Sequence, residues 1–192
     1  MGSSYFTDPL IFIIGTASYL YILAVMLRLL LQTVRADFLN PISQFLVRAT
    51  SPVLNPLRRF IPSVYGVDLA AVVLMLALQI AAISIVSWLY FGQQPGIVPL
   101  LLDSVGRLVG LLLNLYTILI LMGVVISWIN PTANHPGLNL LYQLINPVLR
   151  PIRSLLPDMG GVDLSPLVAL ILIHVARMMV VYPLRGQVPV PI

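Results

Sequence analysis

The sequence predicts an all-α membrane protein, with four transmembrane helices arranged as two parallel helix–amphipathic hinge–helix repeats. Three observations carry this: the composition, four apolar runs of bilayer length, and a self-similarity at a fixed offset of 95 residues. Of the 192 residues 59% are hydrophobic and only 8% are charged, and the mean hydropathy is +1.02. A soluble domain is about half apolar and about a quarter charged, so the composition argues against a soluble enzyme. All ten basic residues are Arg and all six acidic residues are Asp; Lys and Glu are absent. With no Cys, the chain has neither disulfides nor thiolate metal ligands.

The spans run roughly over 10–31, 69–91, 105–129 and 167–182, each near the 20 residues that a hydrocarbon core of about 30 Å requires. Lipid offers no partner to a backbone N–H or C=O, so each run is read as a helix. The first run lacks a basic leader and is too long for a signal peptide, so it is expected to remain as an uncleaved span.

Polar segments follow the first and third spans. Residues 52–69 and 147–164 align without a gap. Identities include Pro52/Pro147, Pro56/Pro151, Arg58/Arg153, Gly66/Gly161 and Asp68/Asp163, ten of eighteen positions in all. The chain therefore reads as a tandem duplication, with repeats over 1–95 and 96–192 and hinges over 36–67 and 131–162. Each repeat holds two spans, so both enter the membrane from the same side and are parallel rather than inverted. Arg35, Arg48, Arg58, Arg59, Arg150 and Arg153 lie in the hinges, against Arg107 and Arg185 on the other side. The positive-inside rule places the hinges in the cytoplasm and both termini outside.

In the first hinge Ile42, Phe45, Leu46 and Ala49 fall at helical spacing; Leu141, Leu144, Ile145 and Val148 do so in the second. Either helix lies in the headgroup layer or it packs on the ends of the spans. Ser51 and Asn146 are read as caps with Pro52 and Pro147 at first helical positions. Pro56 and Pro151 then predict two short pieces joined at an angle. Asp68 and Asp163 open the even spans, either as helix caps or as ion-pair partners of Arg58 and Arg153; both roles are compatible. These four residues form the candidate interaction hinge.

Gln79 and His174 are also 95 residues apart, each eleven residues past its Asp and so about 16 Å deep. They are the candidate intramembrane polar site, as a mutual contact between repeats or as two separately satisfied groups. Arg28 and Arg177 are read as snorkelling to the interface, Asn114 as interhelical glue, and Gly106 with Gly110 as a small-xxx-small contact. Trp88, Tyr90 and Trp128 are interface anchors. No nucleotide loop, zinc signature or paired acids within a span appear, so no catalytic residue, cofactor or metal site is expected, and no basic stripe points to direct nucleic-acid binding.

The segments Asp37-Phe38-Leu39-Asn40-Pro41-Ile42-Ser43-Gln44-Phe45 and Pro52-Val53-Leu54-Asn55-Pro56-Leu57-Arg58-Arg59 resemble the first unit of the bacterial YggT family. Asn146-Pro147-Val148-Leu149-Arg150-Pro151-Ile152-Arg153 and Gly160-Gly161-Val162-Asp163-Leu164-Ser165-Pro166 resemble the second, as does Ser127-Trp128. The resemblance covers nearly the whole chain and implies an integral protein of the bacterial inner membrane. It brings associations with osmotic-shock tolerance, potassium uptake, cell division, plastid nucleoid distribution and haem attachment, and no catalytic or binding residues. The expected function is a non-enzymatic scaffold or assembly factor whose Arg/Pro hinges meet anionic lipid headgroups or a membrane or cytoplasmic protein. The alternative is an ion-conductance or transport component, which would need a homo-oligomer because four spans make a thin pore wall.

Overall fold

The computed structural model describes residues 4–64, 66–130, 135–156 and 163–190. Helix α1 (Ser4–Thr33) is followed by α2 (Pro41–Arg58) and α3 (Leu69–Phe91); α4 (Ile97–Ile129), α5 (Pro136–Leu155) and α6 (Ser165–Ala176) repeat that order. A π-helical turn, Arg177–Val181, continues α6 into α7 (Tyr182–Leu184). Among the described residues four helical segments are long and apolar enough to cross a membrane: Phe6–Thr33, Leu69–Phe91, Ile97–Ile129 and Ser165–Leu184. Their outward faces carry large apolar side chains such as Phe12, Leu20, Val73, Ile118 and Leu172, as a lipid solvent favours.

Within the first repeat α1 packs on α3 and α2; within the second, α4 packs on α5 and α6. The repeats meet mainly where α3 lies against α4, neighbours tied by the short link over 92–96. Ile22, Val25 and Met26 of α1 enclose a core with Leu54, Leu74 and Leu111. A second core joins Ile120, Leu141, Ile145, Leu149 and Ile173. The C-terminal tail returns to bury Val188 and Val190 against Ile11, Ile83 and Leu100.

Three expectations are corrected. Each connecting segment is one helix rather than two angled pieces, and it begins at Pro41 or Pro136 with Asn40 and His135 as caps. Ser51, Pro52, Asn146 and Pro147 are therefore interior. Prolines are tolerated because Pro52, Pro56, Pro147 and Pro151 all lie on exposed faces. The residues four earlier, whose carbonyls lose a helical donor, are exposed as well, within reach of water or headgroups.

The third span starts at Ile97, eight residues before the expected Val105. Its 33 residues reach about 50 Å, and Pro99 sits in the first turn, where its missing N–H costs nothing. The third correction is the face of α2. Ser43, Leu46, Thr50 and Leu54 are buried, while Ile42 and Phe45 are exposed; α5 buries Leu141, Leu144 and Ile145 as its periodicity predicts.

Gly106 and Gly110 do permit a close approach. A Cβ at Gly106 would lie 2.9 Å from the Leu184 Cβ, and one at Gly110 3.3 Å from Val181 Cγ1. The end of the last helix thus rests directly on the α4 backbone. The π turn precedes Pro183, whose ring cannot accept a regular helical carbonyl four residues back.

Candidate functional site: the two elbows and the space beside them

The turn between α2 and α3 is closed by reciprocal backbone bonds between Val64 and Val67, at 3.1 and 3.0 Å. Gly66, at φ +83°, supplies a left-handed residue there. The turn returns Asp68 to Arg58. The Arg58 Nε donates to Asp68 Oδ2 at 2.9 Å, its Nη2 bonds the same oxygen, and Nη2 also reaches Gln32 Oε1 at 3.3 Å. Asp68 Oδ1 accepts from the Ala71 N–H at 3.4 Å. Capping and ion pairing coexist, as the sequence allows. Asp68 is 1% exposed and Arg58 32%.

The second elbow repeats the chemistry in a wetter setting. Arg153 Nε donates to Asp163 Oδ2 at 2.8 Å, and Asp163 Oδ1 accepts from Ser165 N at 2.9 Å. Here the side chains are 45% and 43% exposed. Burial opposes ionisation of Asp163, but hydrogen bonds from Ser165 and Arg153 outweigh it and hold the carboxyl below its ordinary pKa. Gly161 and Val162 lie outside the described residues.

Beside the first elbow Arg28 is buried, not snorkelling. Its Nη1 donates to Thr50 Oγ1 at 2.7 Å, Ser51 Oγ at 3.1 Å and the Val47 carbonyl at 3.4 Å; Thr50 in turn donates to Leu46 O at 2.6 Å. This explains the rotated face of α2, since a buried guanidinium draws the polar residues inward. The repeat offset places Gly123 opposite Arg28, Ile145 opposite Thr50 and Ser127 opposite Gln32. In the second repeat these positions line a groove of about 630 Å³ between α4, α5 and α6, bordered by Arg153 and Asp163.

Deeper in the bilayer, Gln79 and His174 are not brought together. Gln79 lines a cavity of about 120 Å³ with Ser18, Tyr19, Arg107, Asn114 and Arg185. His174 is exposed on α6 and does not line it. The offset equalises their depth, but α3 packs on α1 and α4 while α6 packs on α4 and α5. Asn114 accepts a hydrogen bond from Arg177 Nη2, so Arg177 too serves a helix contact rather than the surface.

Asp103 carries a role the sequence reading left unassigned. It is fully buried, accepts from Arg107 Nε at 2.6 Å through Oδ2, and accepts the Gly186 N–H at 2.7 Å through Oδ1. The i,i+4 spacing of Asp103 and Arg107 was the available signal.

The CCB3/YggT family model matches residues 7–89 and again 102–184. The chain belongs to the CCB3/YggT family. It is 41% identical over 182 residues to uncharacterized protein PA0392 of Pseudomonas aeruginosa, covering 94% of this chain and 92% of the relative. Identity to the uncharacterized protein YggT of Escherichia coli K12 is 36% over 175 residues, 89% of this chain and 88% of that one. The chloroplastic YlmG homolog protein 2 of Arabidopsis thaliana is 36% identical over 77 residues, 38% of this chain and 30% of that protein. No solved structure matches the chain. Two matched segments and four apolar helices establish a tandem-repeat, multi-pass membrane architecture.

Proposed function

We propose that this YggT-family protein is a non-enzymatic scaffold of the bacterial inner membrane, with both connecting helices cytoplasmic and both termini outside. The observation that carries the reading is the joining of α2 and α5 into one platform. Asn40 Nδ2 donates to the Pro136 carbonyl at 2.8 Å, linking the two helix starts, and an Arg–Asp elbow fixes the far end of each. Arg48, Arg59 and Arg150 are exposed on this platform, beside Phe45 at 69% and Phe60 at 85% exposure. Exposed cations interleaved with aromatics suit anionic headgroups at an amphipathic surface, and the same rigid face would dock a membrane or cytoplasmic protein.

The alternative is an ion-conducting component supporting osmotic tolerance and potassium uptake, working as a homo-oligomer. The polar cavity around Gln79 and Asn114, lined from both repeats, favours it; the placement of His174 away from that cavity removes one of the two polar groups expected along such a route. Reconstitution separates the two. In liposomes containing phosphatidylglycerol the scaffold reading predicts potassium leakage equal to that of empty liposomes. It also predicts enrichment of phosphatidylglycerol around the wild type that falls in an Arg48→Ala/Arg59→Ala/Arg150→Ala variant. Potassium flux abolished by Gln79→Leu/Asn114→Leu overturns it.

A further inference from the structure

The two repeats have diverged at one equivalent place. In the first, Arg28 occupies the space between the odd span and the connecting helix, bonded to Thr50 and Ser51. In the second, Gly123 and Ile145 stand there, on the wall of the groove of about 630 Å³, inside the range of about 300–1,000 Å³ typical of ligand sites. A Cβ at Gly123 would lie 2.9 Å from Ile145 Cδ1, so the Ile145 side chain takes part of the space that Arg28 takes in the first repeat.

The walls are apolar, including Leu149, Leu167 and Leu170. Leu121 and Leu167, at 46% and 57% exposure, lie on span helices, so the groove faces the hydrocarbon. At one end stand Arg153 and Asp163, nearly half exposed and of opposite charge. A site that is greasy along its length and zwitterionic at one end matches an amphiphile with the same pattern.

We propose that the second repeat binds one bilayer phospholipid bearing a zwitterionic, primary-amine headgroup. One acyl chain lies in the groove beside Gly123 and Ile145. The phosphate sits on the Arg153 guanidinium, which presents several N–H donors, and the ammonium donates to Asp163. The matching hollow in the first repeat, about 480 Å³, is lined by the guanidinium groups of Arg28, Arg48 and Arg58, so it takes no acyl chain. This inference is independent of the scaffold reading, which rests on the exposed arginines of the platform.

Native mass spectrometry of the full chain, released from detergent after equilibration with phosphatidylethanolamine, phosphatidylcholine and phosphatidylglycerol of one acyl length, tests it. Wild type should retain one phosphatidylethanolamine per chain. Gly123→Arg/Ile145→Thr, which copies the first repeat, should weaken retention about tenfold or more. Leu170→Trp narrows the groove from α6 and should do the same should the double variant fail to fold. Asp163→Asn should keep a lipid but lose the preference for ethanolamine over choline. The proposal is overturned if wild type retains no lipid, if the lipid released on filling the groove is phosphatidylglycerol, or if a second copy of the chain is carried instead. Retention unchanged in the folded groove-filling variants overturns it as well.

Discussion

Arg58→Ala and Arg153→Ala remove chemically identical partners from repeat-related carboxylates, yet their costs should differ several-fold. Asp68 is 1% exposed and takes two of its bonds from Arg58. Without them it keeps only the long Ala71 N–H contact, at 3.4 Å. An unpaired buried charge costs about 3–5 kcal/mol; because Arg58 itself is 32% exposed, the lower end, about 3 kcal/mol, is expected. Asp163 is 43% exposed, so water replaces what Arg153 gives up and the cost is about 0–1 kcal/mol. Reversible unfolding in mixed micelles, run as double-mutant cycles with Asp68→Asn and Asp163→Asn, reads both coupling energies. Equal costs for the two arginines would refute the argument that burial, rather than the shared motif, sets the strength of each elbow.

Arg28→Met should destabilise by about 1–3 kcal/mol, since Thr50 and Ser51 lose a charged donor; adding Thr50→Val should recover much of that loss in the same assay. Gly106→Ala should cost about 1–3 kcal/mol by forcing the Leu184–Arg185 backbone away from α4, whereas Gly96→Ala, whose Cβ would meet nothing nearer than 3.5 Å, should be nearly neutral. Acid should release the second elbow with a defined sign. The folded pKa of Asp163 is depressed, so its contribution is complete above the ordinary value of 3.8 and is lost as the pH falls through the lower folded value. Carboxyl NMR titration should show that midpoint rising toward the ordinary value in Arg153→Ala; no change would contradict the assignment.

Much of this was legible in the sequence because membrane helices obey few rules. The second span, Leu69–Phe91, is read to the residue, since Asp68 caps one end and Gly92 terminates the other. The elbows were legible because both charges recur at the same offset. The start of the third span was hidden by Asp103, which hydropathy treats as an interface marker although Arg107 and Gly186 satisfy it inside the fold. The prolines misled because a missing N–H breaks a helix only where its orphaned carbonyl has nowhere to turn. Gln79 and His174 show the limit of a repeat argument: an offset sets depth along the membrane normal, but which neighbour a residue faces depends on how the helices pack. The Arg28–Thr50 and Gly123–Ile145 exchange was invisible for a related reason. Identities reveal a duplication, whereas its divergence lies in positions that differ.

The account stands on both connecting helices lying at one membrane face, with the link between α3 and α4 at the other. The absence of native cysteine makes that directly measurable. Single variants Arg59→Cys, Arg150→Cys and Gln94→Cys are exposed to a membrane-impermeant maleimide in spheroplasts, before and after permeabilisation. Positions 59 and 150 should label only after permeabilisation and position 94 before it; labelling of 59 and 150 from opposite faces would contradict the parallel duplication.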